Sequence, residues 1–132
     1  MKKYVLIMML PFLAMACNGQ PNTAALEVRG GDIPVATAKE MVDADTIAII
    51  DVRTLDEYQQ GHIEDATNID YYGDDFDEQI DKLPKDKTYM VYCRSGGRSA
   101  KAMKIMQDKG FAVYNVEGGI TAWKENGEDT VK

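Results

Sequence analysis

The order of strand-like and helix-like segments most limits what this chain can fold into. Residues 47–52 are apolar except for Asp51, as in a parallel strand that is buried on both faces. Thr54 and Glu57 directly after it have the spacing of a capping box, which predicts the start of a helix. Strands that alternate with helices in this way indicate an α/β fold with a mainly parallel central sheet flanked by helices.

Further segments continue the same alternation in a chain whose length suits one domain. The predicted strands are residues 26–28, 47–52, 66–69, 88–92 and 111–116. A second capping-box pair, Thr37 and Glu40, predicts another helix, and further helices are predicted over residues 76–83 and 98–109. Gly110 fits the position after a helix C-terminus. A short terminal helix is expected to place Trp123 in the core.

The first 25 residues differ in character from the rest of the chain. Lys2 and Lys3 precede an apolar run over residues 4–13, and small residues then lead to Cys17. This pattern resembles a bacterial lipoprotein signal, which is cleaved before a cysteine that becomes lipidated, and a plain secretory signal is the alternative. We predict a signal peptide over residues 1–16, a tether over 17–25, a domain over 26–127 and a frayed end over 128–132. The protein would be exported to the bacterial cell envelope as a periplasm-facing lipoprotein that meets the membrane only through its N-terminal lipid anchor.

The charge of the chain limits its partners. Asp and Glu total 22 against 15 Lys and Arg, which gives a net charge of −7 at pH 7. Nucleic acid is excluded as a partner, because binding phosphates requires clustered basic residues. An anionic substrate must therefore be attracted by a local basic pocket. No metal site is expected, because one His and one free Cys are too few ligands, and no cofactor is expected.

The chemistry is concentrated in residues 92–99, between a predicted strand and a predicted helix. Ligands of open parallel sheets bind at the carboxyl ends of strands, where Cys93 lies. Gly96 and Gly97 let the backbone curl so that its N–H groups form an anion-binding nest beside the positive end of the helix. This setting lowers a thiol pKa from about 8.5 to roughly 3.5–7.5, so Cys93 is the expected catalytic nucleophile. The expected substrate-binding residues of the loop are Arg94, Ser95, Gly96, Gly97, Arg98 and Ser99.

Residues 93–99, Cys-Arg-Ser-Gly-Gly-Arg-Ser, resemble the active-site loop of the rhodanese sulfurtransferases. Three further segments resemble motifs of that family and follow in its order: Asp51-Val-Arg53 with Glu57-Tyr58, Gly61-His-Ile63 with Ala66 and Asn68, and Glu117-Gly-Gly119 with Trp123. The resemblance spans residues 26–125 and implies a rhodanese-like three-layer fold. Asp65 departs from it, because the family often has glycine at that position.

The motif residues outside the loop receive expected roles. Asp51, at a strand end, is expected to pair with an arginine, Arg98 being one candidate, and so to organise the loop. Arg53 is grouped with the substrate-binding residues, and a structural ion pair is the alternative. His62 is expected to be structural, because an activated cysteine needs no adjacent base. The turn at Gly118 and Gly119 is expected to support the pocket rim.

These features predict a sulfurtransferase. Cys93 would take sulfane sulfur from thiosulfate or a persulfide donor and pass it, as a Cys93 persulfide, to a thiol or cyanide acceptor. A persulfide carrier that serves a protein sulfur acceptor fits the sequence as well. A non-catalytic binding module is disfavoured, because such rhodanese-like modules typically lack the Cys. A phosphatase or arsenate reductase is disfavoured because its loop is Cys-x5-Arg, whereas Arg98 gives Cys-x4-Arg.

Overall fold

The structure, a computed structural model, describes residues 30–132 and contains a parallel sheet with helices on both faces. The strands are β1 (Gly30–Ile33), β2 (Ala48–Asp51), β3 (Thr67–Asn68), β4 (Thr88–Tyr92) and β5 (Ala112–Val116). The helices are α1 (Val35–Asp43), α2 (Leu55–Gln59), α3 (Phe76–Asp81), α4 (Gly97–Asp108) and α5 (Gly119–Glu125). The strand order is β1-β5-β4-β2-β3, and each pairing in it is parallel. The predicted α/β class with a mainly parallel sheet is confirmed.

Several predictions fall on the part of the chain that the structure does not describe. The signal peptide over residues 1–16, the tether over 17–25, Cys17 and the strand predicted at 26–28 all lie outside the described residues. Among residues 30–132, no helix is both long enough and apolar enough to cross a membrane.

Alternate residues of β4 point to opposite faces of the sheet, as strand geometry requires. Tyr89, Val91 and the following Cys93 belong to a buried cluster that includes side chains of α3 and α4. Met90 and Tyr92 belong to the cluster on the other face, with side chains of α1 and α5. The central strand is therefore buried on both faces, and Cys93 lies at its carboxyl end on the side that α4 covers.

The two capping-box predictions had different outcomes. Thr54 precedes α2, and its Oγ1 accepts a hydrogen bond from the Glu57 N–H at 3.3 Å, as predicted. The box predicted at Thr37 is wrong, because α1 already begins at Val35. Pro34, with φ −70° and ψ 159°, leads the chain into that helix, so Thr37 lies within its first turn.

The C-terminal residues are held against the domain, which corrects the prediction of a frayed end over residues 128–132. His62 and Val131 form an antiparallel bridge through two N–H···O bonds of 2.8 Å. The Trp123 indole donates to the carbonyl of Asp129 at 2.9 Å. The polar composition of this end suggested fraying, but these hydrogen bonds use backbone groups, which every residue carries.

Backbone conformation explains two positions that depart from sequence expectation. β1 begins at Gly30, with φ +114°, although glycine is unfavourable in strands. A Cβ at Gly30 would lie 1.4 Å from the carbonyl oxygen of Val113 on β5, so the close approach of the two strands requires glycine. Asp65, where the resembling family often has glycine, adopts φ +65°, a left-handed conformation that Asp tolerates better than most residues.

Candidate active site

Cys93 follows β4 and is buried, with 1% of its surface exposed. Its Sγ accepts hydrogen bonds from the Gly96 N–H at 3.1 Å and from the Ser99 hydroxyl at 3.4 Å. Gly96 has φ +105°, in the left-handed region that favours glycine, and this conformation turns the chain into α4. Gly97 is the first residue of α4 and does not have a positive φ, so only one of the two glycines provides the expected conformation.

The surroundings of the sulfur favour the thiolate. Burial by itself raises the pKa of the Cys93 thiol, because a low-dielectric environment disfavours the charged form. The Ser99 hydroxyl and the N–H groups of Ser99, Gly96 and Ser95 outweigh burial, and the pKa of Cys93 lies below its ordinary value. The pKa of Cys93 therefore shifts in the expected direction, and hydrogen bonds to the sulfur are the main cause.

Arg98, one candidate partner for Asp51, pairs with Glu57 instead. Its Nη1 donates to Oε1 at 2.8 Å and its Nη2 donates to Oε2 at 2.9 Å. The hydrogen bonds from Arg98 outweigh burial and hold the pKa of Glu57 at about 2. The guanidinium also lies 5.8 Å from the ring centroid of Tyr72. Arg98 thus ties the amino end of α4 to α2, and its expected contact with a substrate anion stays a prediction.

Asp51 and Arg53 form a buried ion pair at the carboxyl end of β2. The Nε of Arg53 lies 3.0 Å from both carboxylate oxygens, and its Nη2 lies 2.6 Å from Oδ2. The same Nη2 donates to the carbonyl of Gly61 at 2.7 Å. Asp51 therefore pairs with an arginine as expected, but with Arg53 in place of Arg98. A structural ion pair was the alternative role of Arg53, and the structure shows this pair. These contacts do not support the grouping of Arg53 with the substrate-binding residues.

His62 makes contacts of a structural kind. Its Nδ1 lies 3.0 Å from the carbonyl oxygen of Tyr58, to which it can donate. Its ring stacks on that of Tyr58, with centroids 3.7 Å apart and planes inclined by 11°. Its backbone pairs with Val131, as described above. These contacts agree with a structural role, and they explain how the only histidine of the chain is used.

The start of α5 packs directly on the backbone of the loop that contains Cys93. Gly118 and Gly119 have φ +74° and +56°, and a Cβ at Gly119 would lie 2.3 Å from the carbonyl oxygen of Cys93. The Ile120 N–H donates to that same oxygen at 2.9 Å. The glycine pair therefore supports the loop by allowing close approach of two backbones.

A pocket of about 430 Å³ lies beside the loop. Its lining residues are Arg53, Glu57, Gln60, Gly61, Arg94, Ile120, Thr121 and Lys124. Sequence reasoning placed Arg94 near the substrate but missed Gln60, Thr121 and Lys124. The available signal was the helix predicted after the glycine pair, because Thr121 and Lys124 are three residues apart and share one helix face.

Comparisons with known proteins agree with this geometry. A family model for the rhodanese-like domain matches residues 34–126. A candidate sulfurtransferase of Bacillus subtilis, YtwF, is 40% identical over 94 residues, which cover 70% of this chain and 89% of that protein. A sulfurtransferase of Allochromatium vinosum is 33% identical over 91 residues, covering 68% and 83%. The crystal structure of a rhodanese-related protein from Thermoplasma volcanium matches with a TM-score of 0.70 at 33% identity, covering 76% and 96%.

Proposed function

This chain belongs to the rhodanese-like domain family, and we propose that it is a sulfurtransferase in which Cys93 carries sulfane sulfur as a persulfide. The names of its relatives support sulfur transfer in general. One observation carries the finer proposal: the Cys93 sulfur accepts hydrogen bonds from Gly96 and Ser99, and its pKa is lowered although the residue is buried. A stabilised thiolate is the form of cysteine that attacks sulfur.

The first half-reaction loads the enzyme. The Cys93 thiolate attacks the outer sulfur of thiosulfate, the sulfur–sulfur bond of thiosulfate breaks, and sulfite leaves with the electron pair. The outer sulfur is now bonded to Sγ and carries the negative charge, which the N–H groups of the loop can stabilise. A persulfide donor would react in the same way and release a thiolate. Arg94, an exposed residue of the loop that also lines the adjacent pocket, is the residue that we expect to bind the donor anion.

The second half-reaction discharges the enzyme. A thiolate or cyanide attacks the outer sulfur, the bond between that sulfur and Sγ breaks, and its electron pair returns to Cys93 as thiolate. The product is a persulfide or thiocyanate. Electrons balance within each exchange, so the cycle requires no separate oxidant or reductant.

Intact mass before and after exposure to thiosulfate tests this proposal. The full chain should gain the mass of one sulfur atom on Cys93 and lose it on addition of cyanide, while Cys93→Ser should do neither. A serine hydroxyl cannot hold transferable sulfur, so thiosulfate:cyanide activity should vanish in a variant that keeps its fold. Activity of the Ser variant within about tenfold of wild type, a difference of only about 1.4 kcal/mol in barrier, would refute the role of Cys93.

We also infer that the protein is a lipoprotein anchored through Cys17 and exported to the cell envelope. The support is the basic start, the apolar run over residues 4–13 and the small residues before Cys17. Cys17→Ser should move the protein from the membrane fraction to the soluble fraction. A wild-type protein that fractionates with the cytoplasm would contradict this inference.

A further inference from the structure

The pocket beside the catalytic loop is larger than a small sulfur anion requires. Its volume of about 430 Å³ falls in the range of roughly 300–1,000 Å³ that is typical of sites for organic ligands. Thiosulfate is a compact anion of two sulfur and three oxygen atoms. In the proposed reaction its outer sulfur would bond to Cys93, whose sulfur already accepts hydrogen bonds from Gly96 and Ser99, so the pocket has room for a larger molecule.

The walls of the pocket join it to the catalytic loop. The N–H of Thr121 donates to the carbonyl of Arg94 at 3.2 Å, which fixes the first turn of α5 to the residue after Cys93. Lys124 lies one turn further along the same face of α5, and Gln60 and Gly61 also line the pocket. A molecule in this pocket therefore lies next to the loop that carries the nucleophile.

The charges of the pocket are unequal. Arg53 is paired with Asp51, and both carboxylate oxygens of Glu57 are bonded to Arg98. Arg94 and Lys124, in contrast, form no ion pair with any residue in the range 30–132. Within the described residues, two cations thus line the pocket without a carboxylate partner, in a chain whose net charge is −7.

We propose that this pocket is the acceptor subsite, that it takes small organic thiols bearing a carboxylate, and that Lys124 selects them by binding the carboxylate. The proposal rests on the proposed function, because it names the class of thiol that accepts sulfur from Cys93. The acceptor thiol loses its proton to solvent, and its thiolate attacks the outer sulfur of the Cys93 persulfide. The bond between the outer sulfur and Sγ breaks, its electron pair returns to Cys93, and the carboxylated persulfide leaves.

Single-turnover discharge of the persulfide tests the selectivity. The loaded full chain is mixed with 3-mercaptopropionate or with its neutral isostere 3-mercaptopropionamide at one pH, and the ratio of the two rate constants is compared between variants. Intrinsic thiol reactivity cancels in that comparison. Lys124→Gln should lower the carboxylate-to-amide ratio by about three- to tenfold, or about 0.65–1.4 kcal/mol. Lys124→Glu should lower it further, and added salt should lower it in the wild type, because exposed charges are screened.

The control is Lys104→Gln, which makes the same change of net charge on the exposed face of α4. The Nζ of Lys104 lies 3.9 Å from Oδ2 of Asp108. This control should leave the ratio at its wild-type value. Equal ratios in wild type, Lys124→Gln and Lys124→Glu would overturn the proposal, and so would an equal fall in Lys104→Gln, because the effect would then be one of global charge.

A second measurement keeps this proposal separate from the proposed function. Alkylation of Cys93 by iodoacetate and by iodoacetamide, followed on the Cys93 peptide by mass spectrometry, reports the charge of the pocket without sulfur transfer. Lys124→Gln should lower the iodoacetate-to-iodoacetamide ratio. If the persulfide does not form but the alkylation ratio still depends on Lys124, the proposed function is refuted and the pocket remains anion-selective. An iodoacetate-to-iodoacetamide ratio that does not depend on Lys124 would refute the pocket proposal, whether or not the persulfide forms.

Discussion

Removing the charge of Glu57 should destabilise the protein by an amount that depends on pH. Glu57→Gln nearly preserves the size of the side chain but loses the two-bond ion pair with Arg98. The pKa of Glu57 is about 2 in the fold against an ordinary 4.5, and this difference corresponds to roughly 3.4 kcal/mol at about 1.36 kcal/mol for each tenfold change in proton affinity. The two side chains are 31% and 18% exposed, so solvent screening reduces that figure, and we expect a loss of about 1–2 kcal/mol at pH 7.

The pH dependence follows from the lowered pKa of Glu57. Well above pH 4.5 the carboxylate is charged in both the folded and the unfolded chain, and the ion pair contributes fully. As the pH falls from about 4.5 towards about 2, the unfolded chain takes up the proton first, and the contribution is lost. The difference in unfolding free energy between wild type and variant should therefore fall to less than roughly half of its neutral value by about pH 3.

Urea unfolding at several pH values, followed by the fluorescence of the single buried Trp123, measures this difference. Glu78→Gln is the matched control, because Glu78 pairs with Lys82 on the surface, where the two side chains are 68% and 70% exposed. That exposed pair should contribute about 0.3–0.5 kcal/mol to the free energy of unfolding. The reasoning would be refuted if both variants lost the same free energy of unfolding at pH 7. It would also be refuted if the loss in Glu57→Gln did not become smaller at acidic pH.

Three further predictions concern the loop and its support. Arg94→Ala should raise KM for thiosulfate and lower kcat/KM about ten- to a hundredfold, with little change in Tm. Arg98→Ala should lower both activity and Tm. Steady-state kinetics and melting curves measure both effects. Ser99→Ala removes a hydrogen-bond donor from the Cys93 sulfur, so the pKa of that thiol should rise, and the pH profile of its alkylation by iodoacetamide should move to higher pH. Gly119→Ala should lower the free energy of unfolding in urea by about 2 kcal/mol or more, because residue 119 has a positive φ and an added Cβ would clash with the backbone of the loop. Gly97→Ala is the control and should leave this free energy nearly unchanged, because a Cβ at residue 97 would meet open space.

The sequence by itself determined the features that depend on neighbouring residues. Residues 88–92, rich in strand-forming side chains, predicted β4 with the bounds that the structure has. Helix α4 ends at Asp108, with Lys109 as its C-cap, so Gly110 follows its C-terminus as predicted. The position of Cys93 between that strand and that helix followed directly, because a strand end and a helix start are local events. The capping interaction at Thr54 could be predicted for the same reason, since it joins residues three apart.

Tertiary structure alone decided which distant groups meet. Glu57 and Arg98 are 41 residues apart, and only the packing of α2 beside the loop brings them together. Asp51 was expected to pair with an arginine, Arg98 being a candidate, but the turn after β2 brings Arg53 to it. The pocket brings Lys124 of α5 near the loop because α5 starts against the Cys93 carbonyl. Such pairings depend on distances across the folded chain, which periodicity and motif spacing do not encode. The sequence could therefore locate the proposed nucleophile, Cys93, but not the charges that surround it.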